Sequence, residues 1–141
     1  MSDELFNSFG SGRIAVIGDL MLDVYLWGQV SRISPEAPVP IVNVKKREAR
    51  LGGAANVMRN LGTLGAGRVY AFGAAGDDSA GVELKGLLRE AGFRTDGVVT
   101  AQGRPTTEKR RVMAGGQQML REDLEETAPL ITQIPGLVTR R

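Results

Sequence analysis

Leu51-Gly52-Gly53-Ala54-Ala55-Asn56-Val57-Met58-Arg59-Asn60-Leu61-Gly62 sets two glycines, two alanines and one amide side chain at the head of a helical pattern. Glycines clear side chains from the backbone, so its N–H groups can approach a ligand while a helix starts beside it. A tight turn before an ordinary helix is the plainer reading of an isolated Gly-Gly. The surrounding chain decides between them.

Upstream, Arg13 to Gly18 is a short apolar run ending in Gly-Asp, the pattern of a buried central strand. Asp19 to Asp23 then fall at that strand's carboxyl end, where open α/β sheets place ligands. Val39 to Val44 alternates and carries Pro40, which suits an edge strand. Val57, Leu61 and Leu64 share a face, so Ala54 to Leu64 predicts a helix. Arg68 to Gly73 reads as a second buried strand. Asp78 or Ser79 can cap a helix whose core face is Val82, Leu84, Leu87, Leu88 and Ala91. Val98-Val99 is a short strand. Thr106 to Met113 and Gln117 to Arg121 flank Gly115-Gly116, a hairpin signal. Strands alternating with helices predict an α/β sheet with an added antiparallel element.

At 141 residues, 42% hydrophobic and 24% charged, the chain has the composition of one globular domain. Cysteine and histidine are both absent, which excludes disulfides, thiolate or imidazole metal sites and His-dependent triads. A net charge of +2, with one Trp, two Tyr and four Phe, argues against a nucleic-acid surface. No apolar run approaches a membrane span, and the acidic start Met1-Ser2-Asp3-Glu4 is unlike a signal peptide. A cytoplasmic protein is the expectation.

Asp19 and Asp23 flank a predicted turn. Asp19 reads as its cap, whereas Asp23 can either cap or accept hydrogen bonds from polyol hydroxyls. Asn56 offers a donor and an acceptor for a sugar hydroxyl. On the strand after Thr106, Lys109 and Arg111 share a face and Arg110 points away. That pair is either a solvated strand face or a clamp for a phosphate. Gly10 to Ala15 spells GxGxxA but precedes a strand, so it is no dinucleotide fingerprint. No GxxxxGK[ST] loop occurs, and Asp77-Asp78 lacks partners at calcium-loop spacing.

Gly18-Asp19, Asp23 and Gly52 to Gly65 together resemble the first signature region of the ribokinase (PfkB) family of sugar kinases. Ser31 to Pro40 (SRISPEAPVP), Thr106 to Arg111 and Gln117 to Arg121 narrow the likeness to bacterial kinases of D-glycero-β-D-manno-heptose 7-phosphate. Such domains are commonly fused to a heptose 1-phosphate adenylyltransferase. The resemblance covers about residues 13–127, as the amino-terminal part of the domain. It implies a Rossmann-like sheet with helices on both faces and a small lid of strands, near 24–50 and 106–122. Residues 1–12 would be a loose lead-in and 128–141 an atypical tail.

The activity implied is ATP-dependent phosphorylation of the anomeric hydroxyl, on the route to ADP-heptose and lipopolysaccharide, with Mg2+ in the complete enzyme. Carried onto this chain, Asp23, Gly52, Gly53 and Asn56 would hold the sugar. Arg32 is counted with them as a substrate-binding candidate, and Arg32 to Glu36 with the edge strands would belong to a lid that pairs protomers into a homodimer. Lys109 and Arg111 are the candidates for the 7-phosphate, argued from charge and facing. Two departures stand out. Met58 replaces a small residue, and neither the family's Gly-Ala-Gly-Asp segment nor its Asn-x-x-Glu element occurs. The first supplies a catalytic aspartate and amides for developing phosphate charge. No catalytic residue is therefore assigned, and the nucleotide half is expected beyond residue 141. The open alternatives are another sugar or nucleoside kinase of this family, a non-catalytic sugar-binding or dimerisation module, and the product of a broken gene.

Overall fold

The computed structural model describes residues 9–130. Most of the 1–12 lead-in and of the 128–141 tail, with the expectations placed on them, lies outside the described residues. The elements run β1 (Arg13–Ile17), β2 (Leu20–Ile33), β3 (Pro40–Gly53), α1 (Ala54–Thr63), β4 (Arg68–Gly76), α2 (Ser79–Glu90), β5 (Arg94–Ala101), β6 (Glu108–Ala114) and β7 (Gln117–Leu124). They form two sheets. One is the three-stranded β1-β4-β5, parallel throughout, and the other is the four-stranded β3-β2-β6-β7.

The four-stranded sheet holds the strands that the resemblance casts as a lid, and they are longer than the sequence pattern predicts. From Leu20 the chain alternates, with Leu20, Leu22 and Val24 buried and Met21, Asp23 and Tyr25 between them. That period of two makes a strand with one core face. The turn expected across Asp19 to Asp23 is therefore confined to Gly18-Asp19, and Asp23 lies within β2. β2 pairs antiparallel with β3 and parallel with β6, and β6 returns antiparallel as β7. Gly115 and Gly116 both take positive φ (57° and 78°) in the two-residue turn, the conformation a type I′ hairpin requires.

One hydrophobic cluster joins the sheets. Val69, Ala71 and Ala75 of β4 meet Leu20, Leu22, Val24 and Leu51 of the lid's root. Ala55 and Met58 of α1, with Ala80, Leu84 and Leu88 of α2, close over them. Among the described residues this helix cover stands on one face of the three-stranded sheet. Alternation puts Ala15, Ile17, Tyr70 and Phe72 on the other face, where Ile17 is 80% exposed. β1, expected as a buried central strand, has one strand neighbour here and is half-exposed along its length.

Helix faces also depart from the periodicity. α1 buries Ala55 and Met58 with Leu61 beside them, while Val57 and Leu64 lie exposed. Its apolar stripe is wider than the surface it meets. Gly62 belongs to the packed side, where a Cβ would stand 3.2 Å from the Phe93 ring. In α2 the expected core residue Val82 is 73% exposed and Ala91 is the exposed C-cap, so Ala80, Gly81, Leu84 and Leu88 make the contact instead. Val82→Ser is accordingly expected to move stability by less than about 0.5 kcal/mol in urea unfolding.

Candidate functional site

Asp23 stands where three strands of the lid meet their root. Pairing places it beside Arg50 of β3 and Lys109 of β6. Its Oδ1 accepts a hydrogen bond from Arg111 Nη1 at 2.6 Å, and both side chains are about four-fifths buried. Gly52 lies under the same carboxylate, because a Cβ there would come within 2.7 Å of Asp23 Oδ2. The glycine therefore seats the aspartate. Gly53 follows with φ 55° and ψ −131°, a conformation open to glycine, and forms the N-cap of α1 without a capping side chain. Ala54 N–H donates to the Asp19 carbonyl at 2.9 Å. The remaining first-turn N–H groups point to the helix end where negative charge is favoured, and Asn56 lies exposed in that turn.

The strand alternation expected for the basic cluster holds. Lys109 and Arg111 share the face of Asp23, and Arg110 turns to the opposite side, to Glu108 and Glu122. Lys109 is not a bare charge, since Nζ lies 3.2 Å from Asp123 and 3.6 Å from Glu125. Arg32 is not brought to this corner. It pairs with Ile41 near the far end of β2, about 30 Å from Asp23 at the rise of an extended strand.

Two groups are not anticipated by the sequence pattern. Tyr25 and Trp27 stack at 5.8 Å with rings 13° from parallel, and the guanidinium groups of Arg50 and Arg111 sit 4.8 and 5.4 Å from the Tyr25 centroid. Alternation from Leu20 is the available signal, since it places Asp23, Tyr25 and Trp27 on one face. The second group is Asp78 with Thr106. Asp78 caps α2 as expected, accepting from Gly81 N–H at 2.7 Å, but it also accepts from the Thr106 hydroxyl and N–H. Burial pushes the Asp78 carboxyl up, but these three donors outweigh it and hold the group below the ordinary aspartate value. A depressed carboxyl contributes stability above the unfolded value, near pH 4, and loses it as pH falls through the folded value. Asp78→Asn should therefore flatten the acid limb of a stability-versus-pH curve below about pH 4.5.

Residues 11–134 match the pfkB family carbohydrate kinase. The chain belongs to that family. A Wolinella succinogenes relative named bifunctional protein HldE is 50% identical over 117 residues, which cover 83% of this chain and 24% of the relative. A Bordetella bronchiseptica relative named D-beta-D-heptose 7-phosphate kinase is 52% identical over 114 residues, 81% of this chain and 36% of the relative. The chain thus spans well under half the length of these relatives. Arabidopsis thaliana ribokinase, solved with ribose and ATP, superposes with a TM-score of 0.61 at 20% identity over 77% of this chain and 34% of that one. Fructokinase from Xylella fastidiosa with bound ATP gives 0.58 at 24% identity, over 79% and 32%. These two show the ribokinase-like fold, here in incomplete form.

Within this pfkB-family chain, Met58 is fully buried in the common core. Among the described residues no three carboxylates converge as a metal seat. Gly65-Ala66-Gly67, the nearest string to the missing segment, is followed by Arg68 and forms the turn between α1 and β4. These residues do not fit the role of a Mg2+ or ATP seat. No helix among the described residues is long and apolar enough to cross a membrane.

Proposed function

We propose that this chain is the sugar-binding portion of a kinase that phosphorylates the anomeric hydroxyl of D-glycero-β-D-manno-heptose 7-phosphate with ATP and Mg2+. One observation carries the reading: the Asp23 carboxylate is seated on Gly52 and oriented by Arg111 beside the uncapped start of α1. An ionised carboxylate with lone pairs left over accepts two vicinal hydroxyls, and Asn56 adds a donor and an acceptor. The names of the Wolinella and Bordetella relatives favour the heptose over other sugars.

Arg111 and Lys109 remain the groups proposed for the 7-phosphate. Each is held by carboxylates in the structure, so phosphate binding must draw Lys109 away from Asp123 and Glu125. Arg111 can turn unused guanidinium N–H groups to the anion while keeping Asp23. Arg32 enters this scheme only from a second copy. Among the described residues the lid's outer strands β3 and β7 are open edges carrying exposed Val44, Met119 and Leu120, which supports pairing of two lids. No nucleic-acid or membrane partner is proposed, and the setting is cytoplasmic.

The test offers the chain ATP, Mg2+ and heptose 7-phosphate. No ADP above the sugar-free control is expected, because the segment supplying the catalytic aspartate is absent from the sequence. Heptose 7-phosphate should nevertheless raise the melting temperature more than ribose or fructose 6-phosphate at equal concentration. Steady ADP release, or equal shifts from all three sugars, would contradict the proposal.

A further inference from the structure

The chain crosses from the three-stranded sheet to the lid between β5 and β6, and at that crossing Thr106 is 1% exposed. Its hydroxyl donates to Asp78 Oδ1 at 2.7 Å and accepts from Gly76 N–H at 2.8 Å. Its N–H donates to Asp78 Oδ2 at 2.8 Å. Asp78 Oδ1 also caps α2 through Gly81 N–H. Both carboxylate oxygens and the hydroxyl are thus committed. Two glycines allow the approach: a Cβ on Gly76 would stand 2.6 Å from Thr106 N, and one on Gly81 would stand 2.9 Å from Thr106 Oγ1.

Directly after Thr106 and Thr107 begins β6, the strand that carries the basic residues of the site. The Thr107 carbonyl accepts from Leu22 N–H at 2.9 Å, and the register then runs Leu22 to Glu108, Asp23 to Lys109 and Tyr25 to Arg111. A one-residue slip in a strand transfers every side chain to the other face. Arg111 would then leave Asp23, and Arg110 would replace it. A helix cap needs only the bond to Gly81. The two further bonds to Thr106 fix where β6 begins.

We infer that Asp78 is a positioning residue, acting through Thr106 to set the start of β6 and so to hold Arg111 on Asp23. The part of this inference that concerns sugar binding rests on the proposed function; the part that concerns β6 does not.

Hydrogen exchange on the full chain separates the two. In the wild type under mild denaturant, the Gly76, Gly81 and Thr106 amides should open together with those of β6, as one unit distinct from Val69 and Ala71 of β4. Openings of unequal size among those three amides would overturn the inference without any variant being made. Thr106→Val keeps the shape but removes the hydroxyl, and should speed β6 exchange about tenfold relative to β4. Thr106→Ser should restore protection. A general loss of stability would instead accelerate β4 and β6 equally, and failure of serine to rescue would also overturn the assignment. Heptose 7-phosphate, titrated in parallel, should bind Thr106→Val at least about fivefold more weakly than Thr106→Ser. Absence of any sugar response in the wild type would count against the sugar reading, while the exchange result would still decide the role of Asp78.

Discussion

Gly53→Ala is expected to destabilise the chain by about 3–5 kcal/mol, a large share of the 5–15 kcal/mol that holds a typical domain together. Two terms add. The observed φ of 55° with ψ of −131° is disfavoured for any residue with a Cβ, at about 1–3 kcal/mol. The new Cβ would also stand 2.5 Å from the Asp19 carbonyl oxygen and 2.7 Å from Met21 Cε. Methionine can turn aside, but the carbonyl holds the first N–H of α1, so its retreat costs that bond. Gly65→Ala is the control, since Gly65 also has positive φ (84°) but open space around it. That change should cost only about 1 kcal/mol. Urea midpoints compared at constant slope give both values. Equal midpoints for the two variants would show that Gly53 is only a flexible link.

Asp23→Ala is expected to leave the fold intact and to weaken heptose 7-phosphate binding by about a hundredfold or more. Hydrogen bonds to a charged acceptor contribute about 1.5–3 kcal/mol each, and a sugar engaging both oxygens would lose two. The cost to stability is smaller, about 1–2 kcal/mol, because Arg111 keeps the Lys109 carbonyl and the Tyr25 ring as neighbours. Asp23→Asn keeps the shape over Gly52 and should lose about tenfold. In Gly52→Ala the Cβ displaces the carboxylate itself, so binding should fall toward the level of Asp23→Ala although Asp23 is present. Calorimetric titration against each variant reads these differences. Unchanged affinity in Asp23→Ala would remove the carboxylate from the site.

The parts of this architecture that are legible in the sequence are those where one local rule acts alone. The Gly115-Gly116 hairpin, the Asp78 cap and the alternation of Lys109, Arg110 and Arg111 each depend on neighbours within a few residues. The Gly-Gly start of α1 is legible too, through the resemblance as much as through physics. The features that differ depend on tertiary cover. Val57 and Val82 sit on apolar stripes wide enough for two layers, and periodicity cannot say which half is covered. Asp23 reads as a turn residue because a carboxylate after Gly-Asp mimics one, although Leu20, Leu22 and Val24 already carry the alternation of a strand. Arg32 groups with the sugar residues on family likeness alone. An extended strand measures its distance, and only a second copy could close the gap. The tie from Asp78 to Thr106 spans 28 residues, and no local pattern encodes it.

Amide shift mapping during a titration with D-glycero-β-D-manno-heptose 7-phosphate registers even millimolar binding and locates it on the chain. Saturable shifts at Asp23, Gly52, Gly53, Asn56 and Arg111, absent in Asp23→Ala and smaller with ribose or fructose 6-phosphate, are the predicted result. Shifts confined to other residues, or none at any concentration, would contradict the assignment of this corner as a sugar site.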